Sequence, residues 1–360
     1  MTTLDNYIGR NVIAGVLMAL VVITALFVLI SFAGEFDDVG RARYDYWTAL
    51  GYVLLRAPRR MYEAFPVITV LGVMVGLGTL AGRGELVAVR AAGVSTLRIV
   101  LSVLRAALLL MLAAFVLGEV VAPPAEQYGQ QMRLTALASR VGLNTRYGLW
   151  VRDGSNFVHV QQVTNDGRLV GVYVYTFDRS RRLATVTYAR EARPAEGGWR
   201  LHQVRRSHIG REHVETERLA VLGPVPLLPA DVIRTVSLSP DVLSVWRLRD
   251  YIDYLEQNGL DARPYELAYW NKVMMPLAIA AMVLLAVPFV MGSVRHVPVG
   301  QRVFTGFMLG LGFFVVSRLL GQMVLVLEVP ALAPWLPLLG AVVPVLLVIG
   351  VGVVLLRLRL

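Results

Sequence analysis

Six long apolar runs, three on each side of a polar block, constrain this chain more than any other feature. A bilayer core is crossed by about 20 consecutive apolar residues in a helix. Val12–Ala33 and Ala64–Gly82 carry no charge, and Ile99–Gly118 is interrupted only by Arg105. No such run follows until Val273–Val294, which is succeeded by Val303–Leu327, containing Arg318, and by the uncharged Val329–Leu356. Apolar residues make up 56% of the 360 and charged residues only 17%, a balance that excludes one water-soluble globule. The spacing predicts an α-helical membrane protein with six transmembrane helices, arranged three plus three around an inserted domain.

Arginines orient the helices, because cytoplasmic loops carry the positive excess. Arg10, Arg83, Arg90, Arg98, Arg295, Arg302, Arg357 and Arg359 fall on one side, and Arg41, Arg43, Arg56, Arg59 and Arg60 on the other. The richer side, with both termini, is read as cytoplasmic, and the insert as lying outside. A removed signal peptide is not expected, since no small-residue cleavage site follows the first run. The insert reads as β structure from Gly148 to Leu222. NFVHVQQV, LVGVYVYTF, LATVTYAREA and GWRLHQVRRSHI alternate in part and are separated by Asp-Gly, Asn-Asp-Gly and Glu-Gly-Gly turns. That pattern predicts an antiparallel sandwich or open roll. A helix fits Ser244–Asn258, ended by Gly259. The resulting division is 1–122, 123–265 and 266–360.

The chemistry this sequence lacks is as informative. Of 35 basic residues only Lys272 is a lysine, and it sits outside any glycine loop. A phosphate-binding P-loop needs that lysine, so nucleotide hydrolysis by that route is excluded. There is no cysteine, no H-E-x-x-H and no G-x-S-x-G, which leaves no metal site, no cofactor site and no nucleophile constellation. Gly76-Leu77-Gly78 and Gly310-Leu311-Gly312 lie within apolar runs, where small residues let helices pack closely.

The segment Arg83–Gly93, RGELVAVRAAG, suits a short helix along the membrane. Glu85 complements the helix N-terminal dipole and Gly93 offers a stop. Leu86, Val89 and Ala92 share a face at spacings of three, which points to a knob that docks into a cytoplasmic partner. Arg105 lies near a helix end and can snorkel. Arg318 is deeper, and a charge there faces a bundle interior or a wet cavity unless it too snorkels.

The sequence resembles the LptF/LptG permease family, the membrane subunits of the bacterial lipopolysaccharide-export ABC transporter. RGELVAVRAAGVS, GEVVAPPAEQ, GLWVRDGSNFVHV, the YELAYWNKVMMP stretch and VPVGQRVFTGFMLGLGFF carry the resemblance along essentially the whole chain. The third and fifth look more like the LptG branch. The resemblance implies an inner-membrane subunit with a periplasmic β-jellyroll. It implies a heterodimer with an LptF-type permease subunit, an LptB-type ATPase dimer, an LptC-type bridge protein and lipopolysaccharide as cargo. It makes Glu85, Leu86, Val89, Arg90, Ala92 and Gly93 the ATPase-coupling helix, and it has helices one and five enclose the cavity. Lipid A joins acyl chains to phosphates, so its site needs an apolar wall below a cationic rim. The resemblance suggests a phosphate contact for Arg133. Arg140, Arg146, Arg41 and Arg43 lie on the same side, and guanidinium grips phosphate bidentately. Arg318, Phe307 and Phe314 are candidates for the cavity itself. The acidic run Glu35-Phe36-Asp37-Asp38 at the end of helix one departs from such a rim. The net charge of +10 is assigned to membrane orientation and an anionic lipid, not to nucleic acid. The alternatives are the LptF-type paralogue and a membrane-anchored periplasmic scaffold without a transport cavity.

Overall fold

The computed structural model describes residues 3–137, 144–153, 156–164, 168–178, 182–195, 198–210, 213–225, 240–291, 299–327 and 334–359. Helices α1 (Thr3–Gly34), α2 (Tyr46–Glu63), α3 (Phe65–Gly82), α4 (Glu85–Ala91), α5 (Thr96–Val116) and α6 (Ala122–Leu137) come first. Strands β1 (Asn144–Asp153), β2 (Asn156–Val163), β3 (Leu169–Phe177), β4 (Leu183–Ala195), β5 (Gly198–Ile209) and β6 (Val214–Val225) follow. Helices α7 (Val245–Gln257), α8 (Arg263–Met291), α9 (Val299–Val326) and α10 (Leu336–Arg359) complete the chain. Among the described residues, six helical segments are long and apolar enough to cross a bilayer: α1, α3, α5 continued by α6, α8, α9 and α10. The expected three-plus-three division around an antiparallel β insert is present.

The third span runs further than its apolar run suggests. Past Gly118 the helix widens into a π turn at Leu117–Val121 and continues as α6 to Leu137. Pro123 and Pro124 account for the widening, since neither has an N–H to return to the preceding turn and their rings crowd it. Helix α2 does not span. It is amphipathic, capped by the Asp45 carboxylate on the Thr48 amide at 2.9 Å, and packs on α6.

Helix α3 is the hub: α1, α8 and α9 all pack on it, and most of its length is buried. Backbone contact makes this possible. A Cβ on Gly15 would meet the Gly72 carbonyl oxygen at 2.3 Å, and one on Gly76 the Asn11 carbonyl oxygen at 2.5 Å. The expectation of close packing therefore holds for Gly76. It holds also for Gly78, which faces the Arg302 side chain, and for Gly310, which faces Val67, whereas Gly312 looks onto open space. Val12, Val73, Leu77, Val103, Met282 and Ala286 belong to the continuous core around this hub.

The six strands pair antiparallel in the order of the sequence, so the described sheet is a meander. It fits the open roll; Greek-key crossings of a jellyroll are not among the described strands. One face is apolar, with Val158, Val172, Ala189, Leu201 and Val204 in its core. Alternation along the strands slips once, at a line crossing the sheet. Leu169 and Val172, Ala189 and Ala192, and Leu201 and Val204 each stand three apart yet share that core. They also stand opposite one another, as Leu169↔Ala192↔Leu201 and Val172↔Ala189↔Val204. Gly171 at φ +67° and Gln203 at φ +52° lie on the line and turn the strands there. The result is a crease that folds the sheet around its apolar face.

Replacing Gly72 by Leu is expected to push α1 off α3 and lower stability by about 1–3 kcal/mol, the usual cost of overpacking. Thermal unfolding in detergent checks this, with Gly312→Ala expected to leave the transition unchanged.

Candidate functional site

Helix α4 is joined to the end of α3 by the tight turn Arg83-Gly84, with Gly84 at φ +75°. Gly93, at φ +85°, follows the helix as expected. The Glu85 carboxylate is fixed from α1: the Tyr7 hydroxyl donates to its Oε2 at 2.6 Å, with the Arg83 guanidinium 3.9 Å from Oε1. The apolar stripe behaves differently from a docking knob. Leu86 is buried in the chain's own core and Val89 packs against it, because the short turn lays that face onto the hub. Ala92, the third residue of the stripe, is exposed where the helix ends, and Val87, Ala88, Arg90, Ala91 and Gly93 are open with it.

Just above this corner Arg302 of α9 is buried, its Nη1 donating to the Gly78 carbonyl near the C-terminal end of α3. Among the described residues no carboxylate pairs with it, and its Nε has no partner. The negative end of the α3 dipole supplies the compensation a carboxylate would otherwise give. Arg302 thus ties α9 to the turn that carries α4. Nearby, Arg105 does not merely snorkel. Its Nη1 donates to Asp5 Oδ2 at 2.8 Å, and the Ser102 hydroxyl donates to the other oxygen of this buried carboxylate. That pair fastens α1 to α5.

At the opposite ends of the helices the acidic close of α1 finds its role. Arg133 of α6 donates from Nε to Glu35 Oε2 at 3.0 Å and from Nη2 to Asp38, and its guanidinium lies over the rings of Tyr52 and Tyr44. Tyr44 donates to Glu35 at 2.9 Å, and burial, reinforced by that carboxylate, pushes its hydroxyl pKa up. Arg41 pairs with Asp38, while Arg43 is exposed and its amide donates to the Ala136 carbonyl at 3.0 Å. Arg133, Arg41 and Arg43 are therefore brought together, but two of the three are already neutralised from α1. Arg140 lies outside the described residues. Arg146 is in β1, with its side chain outside the description. Beneath the rim, fully buried Glu126 accepts from Arg56 Nε at 3.0 Å and approaches Arg59 Nη1 at 3.5 Å, locking α6 to α2.

The single lysine is at this level too. Lys272 Nζ donates to Glu119 Oε1 at 2.7 Å, lies over the Tyr62 ring, and shares Glu119 with the Val245 amide that begins α7. Both side chains of the pair are over nine-tenths buried. The π turn is what aims Glu119 across to α8. Sequence reasoning missed Asp5, Glu119, Glu126 and Arg302, whose partners lie 67 to 224 residues away. The one available signal was an ionisable residue inside or beside an apolar run.

Helices α1 and α9 flank α3 and leave long apolar faces open: Leu17, Val21, Leu29 and Ile30 on one, and Phe307, Leu311, Phe314 and Met323 on the other. Arg318 stands on this α9 face, four residues after Phe314, exposed and with no ion-pair partner among the described residues. A bare arginine toward hydrocarbon costs several kcal/mol unless its side chain snorkels to the interface. The arrangement offers an apolar wall interrupted by one cation, below a rim of arginines and carboxylates. Among the described residues no group of three or more His, Asp or Glu is placed to hold a metal ion.

Comparison with known proteins finds a family described as lipopolysaccharide export system permease LptF/LptG, whose model matches residues 6–358. The chain is 37% identical over 344 residues to the lipopolysaccharide export system permease protein LptG of Escherichia coli K12, covering 95% of this chain and 94% of that protein. It is 36% identical over 352 residues to the LptG protein of Haemophilus influenzae, covering 97% and 96%.

Breaking the buried pair with Lys272→Met is expected to destabilise the helices by about 3–5 kcal/mol, because Glu119 is left buried without its counter-charge, keeping only the Val245 amide. The double variant Glu119→Gln/Lys272→Met should recover a large part of that loss in thermal unfolding.

Proposed function

The chain belongs to the LptF/LptG family of lipopolysaccharide export permeases, and from that premise we propose how its geometry moves the lipid. It is a multi-pass inner-membrane permease of lipopolysaccharide export. We read it as the LptG-type half, since both relatives described above carry that name. An LptF-type subunit is placed opposite the open faces of α1 and α9, so that the two chains enclose a cavity with α3 behind it.

Arg318 is the observation that carries this reading. Its position on an exposed apolar face, without an ion-pair partner among the described residues, demands an anion or a polar partner at membrane depth. A lipid A phosphate drawn in from the outer leaflet meets that demand, with acyl chains against Phe307 and Phe314. Arg133, Arg41 and Arg43 form the upper rim, and Arg140 and Arg146 follow along the same segment. The carboxylates Glu35 and Asp38 compete with phosphate for Arg133. They hold that side chain in place when no lipid is there and yield it to a dianionic headgroup.

Energy comes from an LptB-type ATPase dimer in trans. Both termini and α4 are placed in the cytoplasm, where α4 seats in the ATPase through its outward surface, Val87, Arg90, Ala92 and Gly93. Leu86 and Val89 anchor it to the hub, so a push on α4 is delivered to α3, and through Arg302 to α9. The β-domain is placed in the periplasm. Its apolar face takes the acyl chains, and β1 and β6, the edges of the sheet among the described strands, are where an LptC-type bridge protein would add a strand.

Two outcomes are expected. In the assembled complex Glu85→Arg, which loses the Tyr7 contact, should lower lipopolysaccharide-dependent ATPase activity several-fold while the partners still co-purify; unchanged ATPase activity and transport would remove α4 from the coupling role. A photo-crosslinking side chain at Phe314 should capture lipopolysaccharide or the second permease subunit, and one at Leu346 of α10 should capture neither. Equal capture at the two positions would place the cavity elsewhere.

A further inference from the structure

The crease in the sheet has an outer side. Where alternation slips, β4 and β5 each turn two consecutive side chains away from the apolar core, Arg190 and Glu191, and His202 and Gln203, while β3 turns Val170 outward beside the buried Gly171. Together with Arg168 and Arg193, the outward side chains of Val170, Arg190, Glu191, His202 and Gln203 line a groove of about 650 Å³. That volume is in the range of small-ligand sites. The groove is cationic. Arg168 Nη1 and Arg193 Nε donate to the same Glu191 oxygen at 3.1 and 2.8 Å, and Arg190 Nη1 donates to the neutral Gln203 Oε1 at 3.3 Å. Hydrogen bonding from Arg193, then Arg168, holds the Glu191 carboxyl below the usual carboxylate range, so it stays ionised. Among the described lining residues three guanidiniums thus face one carboxylate, beside His202.

Two further observations single the groove out. Gln203 is a non-glycine residue at φ +52°, a strained backbone of the kind retained where a side chain must be aimed. Beside the groove on the same outer face runs a row of paired rings, Trp150↔His159↔Tyr173↔Tyr188. Successive centroids lie 4.5, 6.0 and 4.8 Å apart, and Trp150 is more than half exposed. Tyr188 and Arg190 stand two residues apart on one strand, hence about 7 Å along the same face. That spacing suits a sugar ring and the phosphate it carries.

We infer that the outer face of the β-domain binds a phosphorylated saccharide, its ring on Tyr188 and Tyr173 and its phosphate between Arg190 and Arg193. This rests on the reading of the cargo as lipopolysaccharide, and adds to it a grip on the sugar-phosphate portion separate from the acyl chains. Phosphate displaces Glu191 from Arg193 and offers Arg190 the charged partner it lacks among the described residues.

The test uses the full chain in detergent and equilibrium dialysis. The probe is the labelled, deacylated, phosphorylated oligosaccharide released from lipopolysaccharide by alkali. Arg190→Gln/Arg193→Gln should weaken probe binding about tenfold or more, the loss of charge-assisted hydrogen bonds to phosphate. Phosphatase treatment of the probe should weaken it equally, inorganic phosphate should compete poorly, and Arg247→Gln on α7 should change nothing. Full affinity in the double variant, alongside normal binding of intact lipopolysaccharide, overturns the groove and leaves the transport reading standing. Competition by inorganic phosphate as strong as by the probe overturns the saccharide assignment. Failure of the unmodified chain to bind intact lipopolysaccharide at all overturns both.

Discussion

An ionised side chain in hydrocarbon must meet its counter-charge inside the protein, and that requirement organises the membrane half of this chain. Asp5 with Arg105 joins α1 to α5, Glu119 with Lys272 joins α5 to α8, and Arg302 on the Gly78 carbonyl joins α9 to α3. Each tie crosses between elements that lie far apart in sequence and fixes one helix at a set depth against another. Burial of apolar side chains alone gives little of this, because lipid tails are as apolar as leucine and no hydrophobic driving force separates one depth from another. The ties occur where the backbone permits them. Gly78 leaves room for the Arg302 guanidinium, and the π turn brought on by Pro123 and Pro124 points Glu119 at α8.

Arg318 stands apart from this rule, and its departure has a direction. Along the open face of α9 it is preceded by Phe307, Leu311 and Phe314, so one surface combines lipid-like apolarity with a cation. A permease for an amphiphile with acyl chains and phosphates needs that combination. The rim above follows a different logic. Glu35 and Asp38 hold Arg133 between the rings of Tyr44 and Tyr52, so its guanidinium is preorganised before any anion arrives. On the reading proposed above, a headgroup phosphate would exchange with the carboxylates and need not order a free side chain.

The creased sheet applies the same economy in water. A meander with strict alternation would present one apolar and one polar face. The slip at Gly171 and Gln203 deepens the apolar side and, as a geometric consequence, opens a groove on the other. One local backbone feature therefore shapes both faces.

Sequence alone determined the number of spans, the place of the insert, its β character and the lack of a P-loop. These depend on composition and on patterns of period 2 and 3.6, which are local. It also marked RGELVAVRAAG as a helix closed by Gly93, because turn chemistry is local as well. It did not reveal that Leu86 and Val89 face inward, since the same apolar stripe serves a partner or the chain's own core. Nor did it reveal that the acidic end of α1 holds Arg133, or that the lone lysine answers Glu119. Which charge meets which across 98 or 153 residues depends on helix rotation and depth, and those are set only in three dimensions, by the close packing on the glycines of α3 together with the charge pairs themselves.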